Sequence, residues 1–271
     1  MSTSEVMPPR PQYVIEHMEE DDPDAPSVFP SWALLEYRHM LHLVGPGSTV
    51  HFTSLSNASL ESLRTSLSST TTSSTLALAE FELHTASITT LMEQRGVGKD
   101  KVCLLDPKSA FAISITDTGK FNSCSITKNV EAGGPFEFFL YGGILGDDPP
   151  RDRTSSLRQL GFPSRHLGGV QMTTDTALGV TKSCVEDGYL LGLDDTKQQE
   201  QKWGDINKAN GTLEWVDYPE LHFGRGESVE MPFRYMVDKT RSTLSKGSKQ
   251  PLMPEGMREL IKSDLGRSFE F

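Results

Sequence analysis

Cysteine is scarce in this sequence, which narrows the classes of protein to which it can belong. Among 271 residues there are three cysteines, Cys103, Cys124 and Cys184, and there is no CxxC pair. A small, odd set of separated cysteines argues against a disulfide framework and favours a reducing compartment. A chain of this length can instead bury a sizeable hydrophobic core.

Long apolar runs are also missing. No run approaches the roughly 20 residues that a membrane-spanning helix needs. The first residues, MSTSEVMPPRPQ, lack the apolar core of a signal peptide. We therefore expect a soluble, cytoplasmic protein that does not contact a membrane.

Positive charge is in the minority. The chain has 26 Lys and Arg against 37 Asp and Glu, which gives a formal net charge of −11. Lys and Arg supply most of the affinity for phosphate backbones. The acidic total therefore disfavours RNA as a partner and favours a basic protein.

The short motifs of several common sites do not occur either. The sequence has no GxGxxG fingerprint, no GK[ST] of a P-loop, no HExxH and no EF-hand loop. His17, Glu19 and Glu20 begin an acidic segment, but a solvated loop explains that composition better than a metal site does. We predict no metal.

Strand-like and helix-like segments alternate along the chain. Short apolar runs predict strands in YVIEHM, TVHFTSL, KVCLLDP and FEFFLYGGI, and two later strands are predicted in TLEWVDYPELHF and VEMPFRYMVD. The segment SWALLEYRHMLHLVG predicts a helix with Ser31 as N-cap and Gly45 as stop signal. Further helices are predicted in residues 85–93, 154–162, 173–188 and 253–266. This alternation predicts an α/β fold with a mostly parallel sheet and helices on both faces.

The predicted organisation is one main domain with additions. Residues 1–12 form a tail, residues 13–238 the domain, and residues 239–271 a linker, a helix and a tail. Within the domain, insertions are predicted near residues 56–80, 118–134 and 194–211. The first insertion contains the low-complexity run SLSSTTTSST, for which we predict mobility rather than a regular element.

Ligands of parallel α/β sheets bind at the carboxyl ends of the strands, which draws attention to the loops after Leu105, Leu140 and Leu167. The second loop combines three glycines with Asp147 and Asp148. The glycines would let the backbone approach a ligand, while the two carboxylates would repel a phosphate and attract a cation. S-adenosylmethionine, with its cationic sulfonium, fits this combination. The alternative is an ordinary turn in which one aspartate caps the next helix.

The third loop lies in LGGVQMTTDTA, which runs from Leu167 to Ala177. Its glycines and polar residues offer backbone N–H and C=O groups that can read the edge of an adenine. The alternative is simple capping of the following helix by Thr173, Thr174 or Asp175.

Five segments, in this order, closely resemble the SPOUT-class methyltransferases and, within that class, the fungal family of ribosomal-protein arginine N-methyltransferases: YVIEHMEE, VCLLDP, YGGILGDDPPRDRT, QMTTDTA and VEMPFRYMVD…MPEGM. The resemblance implies a SPOUT α/β knot, with a deep trefoil knot in the C-terminal part of the sheet region. It also implies that the three loops bind S-adenosylmethionine in a bent shape. Carried over position by position, the implied cofactor contacts are Leu105, Asp106 and Pro107, then Tyr141, Gly142, Gly143, Ile144, Leu145 and Gly146, and finally Gln171, Met172, Thr173, Thr174 and Thr176.

The same resemblance implies a monomer whose substrate is an arginine of a basic small-subunit ribosomal protein. Most of the wider class methylates RNA, so an RNA substrate is an open alternative. A second alternative is a nucleoside-binding ribosome-assembly module that keeps the fold without turnover.

Methylation of arginine sets a chemical requirement. A protonated guanidinium is a poor nucleophile because its nitrogen lone pairs are delocalised. A carboxylate can orient one nitrogen and receive the departing proton. The candidate catalytic carboxylates are Asp148 and Glu19, followed by Glu16 and Asp147. The alternative role for each is a helix cap or a solvated surface position.

Overall fold

Six parallel strands form the central sheet of the computed structural model. The structure describes residues 9–18, 21, 28–68, 77–120, 133–143, 152, 154–192, 209–224, 226–245 and 248–267. The strands are β1 (Gln12–Glu16), β2 (Thr49–Thr53), β3 (Glu80–Leu83), β4 (Val102–Leu105), β5 (Phe138–Gly142) and β6 (Ser164–Arg165). Their order in the sheet is β3-β2-β1-β5-β4-β6. The predicted α/β fold with a mostly parallel sheet is confirmed.

The remaining elements are helices and short strands. The helices are α1 (Ser31–Val44), α2 (Asn57–Ser68), α3 (Ile88–Arg95), α4 (Ser155–Gln159), α5 (Thr174–Val185), α6 (Lys239–Leu244) and α7 (Met257–Arg267). The short strands are β7 (Tyr189–Leu190), β8 (Gly211–Thr212), β9 (Trp215–Asp217), β10 (Glu220–Gly224), β11 (Glu227–Glu230) and β12 (Arg234–Met236). Strands β7 and β8 pair in parallel, whereas β9 with β12 and β10 with β11 are antiparallel pairs. No helix within these ranges has the length and apolarity that crossing a bilayer requires.

Alternation along β1 explains why the sheet carries helices on both faces. Tyr13 and Ile15 pack into one hydrophobic cluster, to which α1 and α5 contribute Met40 and Leu178. Val14 faces the opposite side and packs with residues of α3 and α4. All three β1 side chains are fully buried, as expected of a strand covered on both faces.

Two elements in and after the Ser/Thr-rich region, α2 and β3, were not predicted from the sequence. Helix α2 forms because Leu60, Leu63 and Leu67 recur at helical spacing among the hydroxyl residues, and the last two are buried. The edge strand β3 reads as polar because Glu80 and Glu82 alternate with apolar residues, yet it pairs in parallel with β2. Most of the low-complexity run, residues 69–76, lies outside the described residues.

The C-terminal part differs in detail from the sequence expectation. The two strands predicted in TLEWVDYPELHF and VEMPFRYMVD are four short strands, β9 to β12. The predicted last helix is present as α7, which contacts α1. This contact brings the C-terminal region against the first helix of the sheet, next to the site described below.

Candidate functional site

The first two functional loops start side by side. Strands β5 and β4 are neighbours in the sheet, so their carboxyl ends lie at one edge. Gly143, the first residue after β5, has a left-handed φ of 52°, a conformation that glycine adopts without strain. Its N–H donates to the backbone oxygen of Glu16 over 2.8 Å. The start of the glycine loop is therefore fixed against the end of β1.

The third loop joins the other two through the first turn of α5. The hydroxyl of Thr174 donates to the backbone oxygen of Gly143 over 2.7 Å, and both residues are buried. Thr173 occupies the N-cap position, but its hydroxyl donates to that of Thr176, at 2.8 Å, rather than accepting from a backbone N–H. The alternative of simple side-chain capping by Thr173 is therefore wrong, and the hydroxyls of these threonines hold the loop in place.

Asp106, in the loop after β4, is held by an arginine. Its two carboxylate oxygens accept from Arg158 Nε at 2.5 Å and from a terminal nitrogen of the same guanidinium at 2.8 Å. The backbone N–H of Lys108 also donates to Asp106 at 2.9 Å. The backbone N–H of Asp106 is committed as well, because it donates to the backbone oxygen of Arg165 at 2.9 Å. We therefore expect the predicted cofactor contact of Asp106 to use its backbone oxygen, which accepts from the N–H of Ser109 at 3.0 Å and has a second lone pair.

Some of the other predicted cofactor residues are described by the structure and some are not. Tyr141 and Met172 are buried in the hydrophobic core, so their side chains are not accessible to a ligand, and Tyr141 is also paired with Ile15 of β1. Gln171 accepts at its backbone oxygen from the N–H of Arg234 over 2.8 Å, which ties the third loop to β12. Ile144, Leu145 and Gly146 lie outside the described residues.

Of the four candidate catalytic carboxylates, the structure describes Glu16. Its side chain is 7% exposed and accepts from the hydroxyls of Thr53 and Ser54 at 2.5 and 2.6 Å. The N–H of Ile88, at the start of α3, donates to it at 2.9 Å. These three donors give Glu16 a helix-capping environment. Glu19, Asp147 and Asp148 lie outside the described residues.

Another pair of carboxylates, which was not predicted from the sequence, lines a cavity of about 120 Å³. Glu36 of α1 is 4% exposed and Asp175 of α5 is fully buried. Within the described part of the chain, Glu36 Oε2 and Asp175 Oδ1 have no hydrogen-bond partner. The other oxygen of Asp175 lies 2.7 Å from His39 Nδ1. Burial raises the pKa of Glu36 well above its usual range, and the nearby Asp175 carboxylate raises it further.

The sequence carries one signal for this pair. Glu36 lies in the core-facing stripe of α1, beside Ala33, Tyr37 and Met40, all of them buried. A carboxylate on the apolar face of an amphipathic helix is unusual and calls for a partner. Asp175 gives no such signal because an aspartate in the first turn of a helix is ordinary.

A larger cavity, of about 350 Å³, lies elsewhere, against α5 and the short strands. Lys182, Asp187, Glu214 and Lys239 bring charges of both signs to its lining. None of the predicted cofactor residues lines it, so we place the functional site at the edge of the sheet.

Within the described ranges, one cluster has side chains that could ligate a metal. The ligand atoms of His51, Glu82 and His84 lie within 4.8 Å of one another. Glu82 Oε2, however, pairs with Arg95 at 2.5 Å, and His51 Nε2 lies 2.6 Å from the side-chain oxygen of Gln12. Burial lowers the pKa of His51 to about 4, which keeps its imidazole neutral at pH 7. Hydrogen bonds and this ion pair account for the cluster, and we assign no metal to it.

Comparison with known proteins shows extended similarity. The model of the SFM1-like family, described as protein arginine N-methyltransferase SFM1-like, matches residues 12–268. Protein arginine N-methyltransferase SFM1 of Saccharomyces cerevisiae is 32% identical over 273 residues, covering 96% of this chain and 98% of the relative. The crystal structure of the yeast arginine methyltransferase SFM1 complexed with SAM has a TM-score of 0.64 at 30% identity, covering 94% of this chain and 91% of that chain. The SAH complex has a TM-score of 0.64 at 31% identity, covering 92% and 94%.

Proposed function

This chain belongs to the SFM1-like family of protein arginine N-methyltransferases, and we propose that it transfers a methyl group from S-adenosylmethionine to an arginine of a small-subunit ribosomal protein. The observation that carries the proposal is the bond from Thr174 to the backbone of Gly143. It joins two of the loops for which cofactor contacts are predicted, at the carboxyl edge of a parallel sheet.

The chain itself would bind the cofactor mainly through backbone groups. The side chains of Asp106, Tyr141 and Met172 are committed to an ion pair or to the core. The N–H of Asp106 already donates to the backbone oxygen of Arg165, and Tyr141 is paired within β5. Carbonyl oxygens, which can accept a second hydrogen bond, are therefore the groups that we expect to meet a nucleoside. Bound S-adenosylmethionine supplies an activated methyl group on a positively charged sulfur. Asp147 and Asp148 would add negative charge beside that cation. The fit of the described residues to this cofactor therefore rests on loop position and backbone access.

The net charge of the chain supports the proposed substrate. A net charge of −11 favours a basic protein over a polyanion. The stretch RDRTSSLR, the basic segment nearest the glycine loop, gives little support to RNA because Arg158 is paired with Asp106 and with Asp152. Small-subunit ribosomal proteins are basic and present arginines, which makes them fitting partners for this surface.

Three further properties belong to the same proposal. We infer a deep trefoil knot in the C-terminal part of the sheet region, a monomeric state and a cytoplasmic location. The resemblance to the SPOUT class supports the knot. The resemblance to the arginine-methylating family within it, which differs from the usual SPOUT dimer, supports the monomer, and the sparse cysteines support a reducing compartment.

The test uses methyl-labelled S-adenosylmethionine and small ribosomal subunits that lack the modification. After the reaction, protein and RNA are separated and the label in each is counted. We expect label on a basic ribosomal protein. Label on RNA would overturn the substrate and leave the cofactor in place. Cofactor binding without any transfer would support the non-catalytic module instead.

A further inference from the structure

We propose that the cavity between α1, α5 and α7 is the acceptor pocket of the enzyme, in which Glu36 and Asp175 bind the guanidinium of the target arginine. This inference rests on the proposed function and names the residues that recognise its substrate. It adds two carboxylates that were not predicted from the sequence, and Glu16, the candidate carboxylate that the structure describes, does not line the cavity.

The two carboxylates need a cation. Glu36 Oε2 and Asp175 Oδ1 are buried and, among the described residues, without a hydrogen-bond partner. A buried acceptor without a donor is unfavourable, and two neighbouring carboxylates in one cavity also repel each other. A guanidinium would relieve both problems because it brings a positive charge and five N–H donors in a planar fork. Such an unfavourable arrangement is typical of a functional site that its ligand completes.

The walls of the cavity suit the flat faces of a guanidinium. Trp32, Phe233 and Tyr235 supply aromatic rings, and the C-terminal region supplies Met253 and Met257. Guanidinium groups stack on aromatic faces while their edges donate hydrogen bonds. The cavity volume of about 120 Å³ is well below the range of about 300 to 1,000 Å³ for sites that hold drug-sized ligands. This volume suits the end of one side chain and excludes a nucleoside.

The pocket lies next to the predicted cofactor loops. Thr173 lines the cavity and is itself a predicted cofactor contact. The next residue, Thr174, donates to Gly143 of the glycine loop, and the residue after that is Asp175. The first turn of α5 therefore connects the loops of the methyl donor with the carboxylate that would bind the methyl acceptor. This proximity is what a direct transfer between two bound substrates requires.

The transfer balances with these groups. A guanidinium nitrogen forms the new N–C bond while the S–C bond of the sulfonium breaks, and the electron pair of that bond stays on the sulfur. The product guanidinium is again a cation, so one proton must leave the attacking nitrogen. A carboxylate of the Glu36 and Asp175 pair accepts this proton and releases it to water. His39, bonded to the far oxygen of Asp175, acts as a positioning residue that turns Oδ1 toward the cavity.

The experiment compares the full chain carrying Glu36→Gln or Asp175→Asn with the wild type. Glu93→Gln, which changes an exposed glutamate of α3 on the other side of the sheet, is the matched control. Three quantities are measured for each protein: the dissociation constant for S-adenosylmethionine, the melting temperature, and the rate of methyl transfer to unmodified small ribosomal subunits.

We expect each pocket variant to lose about 30-fold or more in transfer rate, because removing one partner of a buried charge pair weakens binding by at least about that factor. We expect cofactor affinity to stay within about twofold of wild type in both variants. The melting temperature should not fall in Glu36→Gln, which removes a charge rather than volume, whereas it should fall in Asp175→Asn, which also weakens the contact with His39. The Glu93→Gln control should match the wild type in all three measurements.

Two outcomes would overturn the pocket, and they differ from failure of the proposed function. Wild-type methylation of a ribosomal arginine, unchanged in both pocket variants, would refute the pocket alone. Loss of cofactor binding together with activity would assign the carboxylates a structural role and also refute the pocket. Wild-type methylation of RNA, or none, would instead refute the proposed function.

Discussion

Glu36 of α1 and Asp175 of α5 line one cavity, and each has a buried carboxylate oxygen without a hydrogen-bond partner among the residues that the structure describes. They are 139 positions apart in sequence and meet because α1 and α5 pack on the same face of the sheet. A pair of buried carboxylates that destabilises the fold has consequences that can be measured apart from activity.

The substitution Glu36→Gln should stabilise the protein, and more so at alkaline pH. Burial and Asp175 raise the folded-state pKa of Glu36, so the stability that Glu36 retains below its ordinary pKa, about 4.3, is lost as pH rises through the raised value. The glutamine variant does not suffer this loss. We expect a gain of about 1 to 3 kcal/mol in unfolding free energy at pH 8 and a smaller gain at pH 5, measured by urea unfolding.

The control for this prediction is Glu93→Gln, for which the gain should be near zero at both pH values. A variant at Glu36 that is less stable than the wild type at pH 8 would contradict the account of the cavity.

The substitution Thr174→Val should weaken cofactor binding. It removes the hydroxyl that donates to Gly143 while keeping the shape of the side chain. Loss of one such bond is worth about 1 kcal/mol, which corresponds to about a fivefold rise in the dissociation constant for S-adenosylmethionine by calorimetry.

Thr65→Val, in α2, provides the control. Its hydroxyl donates to the backbone oxygen of Glu61 within the same helix, so we expect a small effect on stability and none on cofactor affinity. Equal affinities in the two variants would show that the bond to Gly143 does not shape the cofactor loops.

The substitution Arg158→Met should destabilise the fold and the first cofactor loop together. It leaves the carboxylate of Asp106, which is 2% exposed, without its bidentate partner. Loss of one partner of such a pair should reduce the unfolding free energy by about 3 kcal/mol. Chemical denaturation measures this change.

Arg241→Met, at an exposed pair with Asp238, should change the unfolding free energy by less than about 1 kcal/mol. Equal changes in unfolding free energy for the two substitutions would mean that the pair of Arg158 with Asp106 stabilises the fold no more than a surface salt bridge does.

Several strands were predictable because their burial produces runs of apolar residues in the sequence. Strands β1, β4 and β5 are covered on both faces, so they appear as continuous apolar runs. Helix α2 was not predicted because its three leucines at helical spacing are outnumbered by Ser, Thr and other polar residues. Strand β3 was not predicted because it lies at the edge of the sheet, where exposed glutamates are tolerated.

The pocket was less predictable than the loops. Local sequence patterns locate the glycine loop and the TTDT segment, because turns and helix starts are local structures. The meeting of Glu36 with Asp175, and the closure by Met257 of α7, depends on contacts between distant parts of the chain. The one local hint was a glutamate in the apolar stripe of α1.

Attraction between an acidic enzyme and a basic substrate should make the reaction sensitive to salt. Raising sodium chloride from about 50 to about 500 mM shortens the screening length, and we expect kcat/KM for the basic ribosomal protein, freed of RNA, to fall by about tenfold or more. The dissociation constant for S-adenosylmethionine serves as the control and should change far less. A rate that rises with salt would argue against a basic protein partner.

The most direct measurement locates the transferred methyl group by mass spectrometry. Wild type and Glu36→Gln are each incubated with deuterium-labelled S-adenosylmethionine and unmodified small ribosomal subunits. The label is then located in protein peptides and in RNA nucleosides. The account predicts a labelled arginine in a ribosomal protein with the wild type and almost none with the variant. Label on a nucleoside or a lysine, or equal arginine labelling by the two enzymes, would contradict it.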